Sequence, residues 1–248
     1  MQITQVSDSV HVVKGTNVNW ALVSDGTRVT LIDAGYPSDS ADVLDSVRQL
    51  GFEPDAIAAV LITHAHLDHI GGVPALVDGW RTPVYTGAEE VRHAHREYLQ
   101  QITPIEMIKQ LGTSRGRGWV FDTLPAVRGH IKMSVPSAEV GDEATLAALP
   151  GGIVAIATPG HTNGHTAYFM PSEGVLFSGD TLVTGHPLSL RTGFQILPGV
   201  FNHDEAGTMA SARALAEVPA SVLVPGHGDV RNFDAEELTQ ALRGQASA

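Results

Sequence analysis

The chain has no cysteine. That removes disulfides, thiolate metal ligands and a cysteine nucleophile together. Aromatic residues are sparse at 6% and charged residues stand at 17%, against 43% apolar, a globular composition and not a disordered one. Long apolar runs are missing too: no stretch approaches the roughly 18–20 residues a membrane helix needs. Met1 to Val10 carries neither a basic start nor an apolar stretch, so no secretory leader is expected and a cytoplasmic location is. Basic residues are the scarcer charge, 15 against 27 acidic, for a net charge of -12. A phosphate backbone is gripped by clusters of Lys and Arg, and the nearest to one here is Arg115-Gly-Arg117. Nucleic acid and membrane are therefore not expected as partners. A small molecule is.

What the chain has in excess is histidine, 12 residues in 248. The length suits one domain, 1–248, large enough to bury a sizeable core. β-Branched runs at Val10–Lys14, Val18–Ser24, Arg28–Asp33, Ala58–Thr63 and Thr82–Thr86 read as strands. Asp39–Leu50 has helical spacing, and Leu67–Val77 reads as a second helix. Late in the chain, Thr166–Met170 and Val175–Ser178 form a hairpin, Asp204–Glu217 a helix, Ser221–Val224 a strand, and a last helix starts near Asp234. The two halves run in the same order: hairpin, aspartate (Asp33, Asp180), helix, strand, histidine (His64, His227). An internal pseudo-repeat follows, and two sheets packed face to face with helices outside would accommodate it.

Residues 87–135 lie between the halves. Ala88–Gln101 reads as a helix, a second short helix follows Pro104, and Gly112–Gly118 reads as loose chain. Tyr98, Met107, Trp119 and Phe121 make this segment a candidate cap beside a substrate pocket; Trp119–Met133 would equally serve a homodimer contact.

Thr63-His64-Ala65-His66-Leu67-Asp68-His69 is the strongest feature. Four metal-competent side chains fall within six residues directly after a strand, so His64 and His66 can converge on one ion and Asp68 and His69 on another. Gly71 and Gly72 let the backbone pass close by. Imidazole and carboxylate together suit zinc, and also iron or manganese. Three further strand ends carry Gly160-His161, Gly179-Asp180 and Gly226-His227.

His-x-His-x-Asp-His, then a lone His, a Gly-Asp and a Pro-Gly-His, with Leu31-Ile32-Asp33-Ala34-Gly35 before them, resemble the metallo-β-lactamase-fold hydrolase superfamily over about residues 10 to 230. The resemblance implies an α/β fold, a four-layered αβ/βα sandwich with an internal pseudo-two-fold repeat. It implies two metal ions, zinc by preference: one held by His64, His66 and His161, the other by Asp68, His69 and His227, with Asp180 bridging. It also implies hydrolysis by a hydroxide between the metals, with Asp68 as the catalytic residue that holds or relays the proton. Asp33 and His165 are expected behind the ligands, orienting them, and His186 in the substrate pocket because it follows the Asp180 loop.

Departures from the branches of that superfamily narrow the substrate. Asp180 stands where one lactamase type has cysteine. Ser178-Gly179-Asp180-Thr181-Leu182 resembles hydroxyacylglutathione hydrolases, but only 21 residues follow His227, too few for their glutathione-binding domain. The 92-residue gap from His69 to His161 and the short C-terminus are similar to the lactonase, arylesterase and organophosphate-hydrolase branch. Val183 stands where acyl-homoserine lactonases often carry Tyr. The expectation is cleavage of an ester, lactone or thioester of a small, fairly apolar molecule. The alternatives are a one-iron sulfur dioxygenase, a hydroxyacyl-thioester hydrolase, a phosphotriesterase and, last, a non-catalytic metal-binding module.

Overall fold

The computed structural model describes residues 1–246. The first sheet runs in chain order: β1 (Gln2–Gln5), β2 (Val10–Lys14), β3 (Asn19–Ser24), β4 (Val29–Ile32), β5 (Ile57–Leu61), β6 (Val84–Thr86) and β7 (Ala138–Val140). The second holds β8 (Val154–Ala157), β9 (Thr166–Met170), β10 (Val175–Gly179), β11 (Val222–Pro225) and β12 (Arg231–Asn232), lying in the order 12-11-10-9-8. The α-helices are α1 (Ser40–Gln49), α2 (Leu67–Ile70), α3 (Val73–Trp80), α4 (Ala88–Ala94), α5 (Pro104–Gln110), α6 (Ser114–Val127), α7 (Glu143–Ala147), α8 (Glu205–Ala214) and α9 (Ala235–Ala246).

Alternation along the strands builds the layers. On β3, Trp20 and Leu22 join Val43 and Val47 of α1 and Leu76 of α3, while Ala21 and Val23 point the other way. They meet Tyr168 and Met170 of β9 and Phe177 of β10 between the sheets. The alternate residues Ala167, Phe169 and Leu176 pack on Ala212 of α8 and on Leu238 and Leu242 of α9. Three apolar layers thus separate helix, sheet, sheet and helix, which is the expected αβ/βα sandwich.

The repeat is visible in the topology. Antiparallel β3 and β4 are followed by parallel β5, with α1 between; antiparallel β9 and β10 are followed by parallel β11, with α8 between. Asp33 and Asp180 follow the equivalent strands β4 and β10.

Three expected elements differ. The helix expected over Ala88–Gln101 ends at Ala94. Arg96 turns left-handed (φ 62°), and its guanidinium donates to the carbonyls of Ala65, His93 and Met133 at 2.6–3.1 Å, drawing the chain under the histidine loop. The helix expected over Leu67–Val77 is two helices, α2 and α3, parted at Gly71-Gly72. A Cβ on Gly71 would lie 1.9 Å from the Tyr36 carbonyl carbon, so only glycine passes there. The segment Gly112–Gly118, expected loose, opens α6. The Thr113 hydroxyl accepts the Gly116 N–H at 2.9 Å, and Trp119, Val120, Thr123, Ala126 and Val127 bury one face. That burial outweighs the roughly 1 kcal/mol each helical glycine costs. β1, β7 and α7 are further elements the sequence did not suggest.

Candidate metal centre

Every element that carries a candidate ligand ends at one edge of the sandwich. His64, His66, Asp68 and His69 follow β5, His161 follows β8, Asp180 follows β10 and His227 follows β11. All seven side chains come together there. Donor atoms of His64, His66 and His161 lie within 4.8 Å of one another; so do those of Asp68, His69 and His227, and those of His64, His69 and Asp180. His161 Nε2 is 3.1 Å from His66 Nδ1. His227 Nε2 is 3.1 Å from Asp180 Oδ2 and 3.4 Å from Asp68 Oδ2, and His69 Nε2 is 3.4 Å from Asp180 Oδ1. Asp180 touches both groups: its Oδ2 also lies 3.4 Å from His161 Nε2 and 3.8 Å from His64 Nε2.

The opposite nitrogen of each histidine meets an acceptor, which fixes its tautomer. His69 Nδ1 donates to Asp33 Oδ2 at 2.8 Å. His64 Nδ1 donates to Thr63 Oγ1 at 3.0 Å, and that hydroxyl in turn donates a hydrogen bond to Asp33 Oδ2 at 2.9 Å. Asn202 Oδ1 takes His161 Nδ1 at 3.1 Å, the Asn17 carbonyl takes His227 Nδ1 at 2.6 Å, and the Gln100 carbonyl takes His66 Nε2. Five ring nitrogens are left aimed inward: Nε2 of His64, His69, His161 and His227, and Nδ1 of His66. Metal-binding histidines are held in this way, by a partner on the far nitrogen.

The donor set fits metal ions on a second ground. His64 Nε2, His69 Nε2 and Asp180 Oδ1 are buried without a hydrogen-bond partner. Orphaned buried polar atoms are costly, and three converging on one point call for a cation.

Electrostatics points the same way. Burial pushes His64, His66 and His161 below the usual imidazole range. Burial also opposes charge on His69 and His227, but the Asp180 carboxylate overcomes it. His69 is held well up, and His227 is raised to about 10. Asp180 is held well down by His227 and His69 against its own burial. Protons on His69 and His227 thus balance the carboxylates until a cation displaces them.

Asp33 sits behind the ligands and accepts the Thr63 N–H at 2.8 Å as well as the two contacts above. His165 does not face the centre: its Nε2 accepts the Asp180 N–H at 3.0 Å, and its Nδ1 meets Thr158 and Thr181 hydroxyls at 2.8 and 2.9 Å. Gly226 is required beside the carboxylate, because a Cβ there would lie 2.2 Å from Asp180 Oδ1. Thr63, Asn17, Gln100 and Asn202 escaped sequence reading. Only Thr63, adjacent to His64, left a local signal.

A cavity of about 130 Å³ opens onto the centre. His66, Asp68, His161, Asp180 and His227 form its floor, and Met107, Trp119, Leu124, Val127, Leu197 and Phe201 its walls. Met107, Trp119 and His186 line it as expected from sequence; Tyr98 and Phe121 do not. Because α4 stops at Ala94, the Tyr98 ring stacks on His93 at 5.3 Å and its hydroxyl donates to the Glu89 carbonyl at 3.2 Å. Phe121 follows Trp119 by two residues, roughly 200° around the helix, and is 68% exposed. The His186 ring packs between Phe201 and His227 at 4.8 and 5.2 Å. Its Nδ1 accepts the Leu188 N–H at 3.1 Å, which leaves the ring proton on Nε2.

The sequence profile of the Metallo-beta-lactamase superfamily matches residues 13–227. The chain is 28% identical over 233 residues to the probable metallo-hydrolase YflN of Bacillus subtilis, covering 89% of this chain and 85% of that protein. It is 30% identical over 166 residues to the hydroxyacylglutathione hydrolase of Xanthomonas campestris pv. campestris, covering 67% of this chain but 46% of that one. Among solved structures, the metallo-beta-lactamase SMB-1 superposes with a TM-score of 0.69 at 18% identity, covering 100% of this chain and 95% of that one. A B3 metallo-beta-lactamase with an active-site glutamic acid gives 0.65 at 21%, covering 100% and 91%. At those identities the lactamases share the fold alone. The profile match takes in β3 to β11 and all seven candidate ligands, and the chain belongs to the metallo-beta-lactamase superfamily, as a metallo-hydrolase.

Proposed function

We propose that the chain cleaves an ester, lactone or thioester bond of a small, fairly apolar molecule with two metal ions, zinc by preference. One ion would be held by His64, His66 and His161, the other by Asp68, His69 and His227, with Asp180 between them. The observation that carries the reading is seven converging donor residues, five of which form the floor of an apolar-walled cavity. Two divalent ions supply water activation at neutral pH and polarise a substrate oxygen.

The chain's own residues supply the rest. Trp119, Met107, Leu197 and Phe201 bind the apolar body of the substrate and exclude water. His186, with its proton on Nε2, is placed at the cavity to donate to a substrate oxygen. Asp68 is the most exposed of the candidate carboxylates, 16% for its side chain against 3% for Asp180. It holds the proton released in the attack and returns it to the leaving group. The segment 87–135, through α5 and α6, caps the pocket. Similarity to a hydroxyacylglutathione hydrolase keeps thioesters in the substrate class beside esters and lactones.

The test is metal content per chain, measured together with turnover of an aryl ester, a lactone and a thioester. Two ions per chain and chelator-sensitive turnover are expected. Fully metallated protein inactive on all three would overturn the reading.

A further inference from the structure

Outside the ligand set lies a second buried cluster that no step above uses. Glu90 and His93, one turn apart on α4, are both fully buried. Glu90 Oε1 accepts the Ala65 N–H at 2.7 Å and faces His93 Nδ1 at 2.6 Å; Oε2 accepts the Thr162 hydroxyl at 2.7 Å. Ala65 stands between His64 and His66, and Thr162 directly follows His161. A single carboxylate therefore ties the two loops that carry the His64, His66 and His161 ligands, 95 residues apart at His66 and His161.

His93 extends the tie. Its Nε2 accepts the Gln100 N–H at 3.1 Å, so its own proton lies on Nδ1 and is donated to Glu90. Gln100 in turn accepts His66 Nε2 on its carbonyl and the Asn163 N–H on its side-chain oxygen at 2.8 Å. The circuit closes: Glu90, His93, Gln100, His66, Ala65 and back to Glu90. Helix α4 is fitted to this task, since a Cβ on Gly164 would lie 2.1 Å from the Glu90 nitrogen. Of the ligands of the other ion, His69 meets the circuit through its backbone, its N–H donating to the His66 carbonyl at 3.0 Å. The outward nitrogens of His69 and His227 go to Asp33 and to Asn17.

We infer that Glu90 is the positioning residue of the His64/His66/His161 site, fixing its three imidazoles through Ala65, Thr162 and the His93–Gln100 relay, with no comparable hold on the Asp68/His69/His227 site. The inference rests on the two-ion reading. A buried carboxylate surrounded by three donors is costly to remove, because those donors are then left unpaired. The loss falls on one site because the contacts of Glu90, His93 and Gln100 do.

Metal-free wild type, Glu90→Ala and Thr162→Val are titrated with cobalt(II) and with zinc(II) against a competing chelator, following visible cobalt absorption and ions bound per chain. His161→Ala identifies the spectral component of the His64/His66/His161 site. Wild type is expected to take up two ions. Glu90→Ala weakens the component missing in His161→Ala by roughly 10- to 100-fold, the usual cost of losing a group that orients a ligand. The other ion stays within about threefold of wild type. Thr162→Val, which cuts one arm and keeps the volume, weakens the same component by about three- to tenfold.

Equal losses at both sites, or none in Glu90→Ala, would overturn the inference. If Glu90→Ala does not fold by circular dichroism, Thr162→Val decides: unchanged affinity refutes the tie to the His161 loop. Wild type that binds no ion would instead fail the two-ion reading itself.

Discussion

The floor and the wall of the cavity are built by opposite means. On the floor, each imidazole is held at its far nitrogen and each candidate ligand follows the end of a strand in one of two packed sheets. The wall's α5 and α6 are an outlying helix pair whose inner face carries Met107, Trp119 and Leu124 and whose outer face exposes Ile105, Ile108 and Phe121. The floor is polar, directional and intolerant of displacement. The wall is apolar and defined by shape. In the proposed function, chemistry belongs to the first and selection among substrates to the second.

The largest effect expected from breaking this division is at Asp180, the carboxylate shared by both donor groups. Asp180→Ala should lower turnover by more than about 100-fold, beyond the usual loss for an orienting partner. It should also reduce bound metal below two ions per chain, as elemental analysis would show. Unchanged metal content and activity would refute its bridging place.

Proton competition comes next. Without metal, the Asp180 carboxylate raises His227 to about 10 and holds His69 well above its ordinary range, so protons on these two rings compete with an ion. Affinity should therefore fall as pH falls, about tenfold per pH unit for each proton released. Competition titrations at pH 6, 7 and 8 measure this, and a flat profile would contradict it. Asp33→Asn, which weakens the hold on His69 and Thr63, should cost about 10- to 100-fold in metal affinity while leaving every ligand present.

The wall should respond differently. Trp119→Ala should raise KM roughly tenfold for an apolar ester with kcat nearly unchanged, the pattern of lost uniform binding. Phe121→Ala, one helical face away, should leave both constants as they are. A shift in kcat at Trp119, or in KM at Phe121, would collapse the distinction between the inner and outer faces of α6.

The same division governs what could be read beforehand. The floor's ligands were legible because four of them crowd one heptapeptide and the rest each stand beside Gly at a strand end. The two-sheet sandwich was legible because hydrophobic alternation and the order of elements repeat in the two halves. Asn17, Asn202 and the Gln100 carbonyl were not, since ordinary loop residues become acceptors only after distant segments meet. The wall resisted for another reason. The glycines of 112–118 argue against helix locally, and the Thr113 cap and the burial of Trp119 reverse that argument only in the folded chain. Tyr98 misled for a similar cause: α4 ends early because Arg96 finds three carbonyls.

Asp33 and Asp180 occupy the same place in two copies of one topological unit, yet one braces a ligand and the other reaches the centre. A repeated fold thus yields an unsymmetrical site by giving its two equivalent corners different work. The copy that keeps to the background frees its twin to face the cavity. A protein built this way can change the chemistry at one corner while the other continues to hold the frame in register.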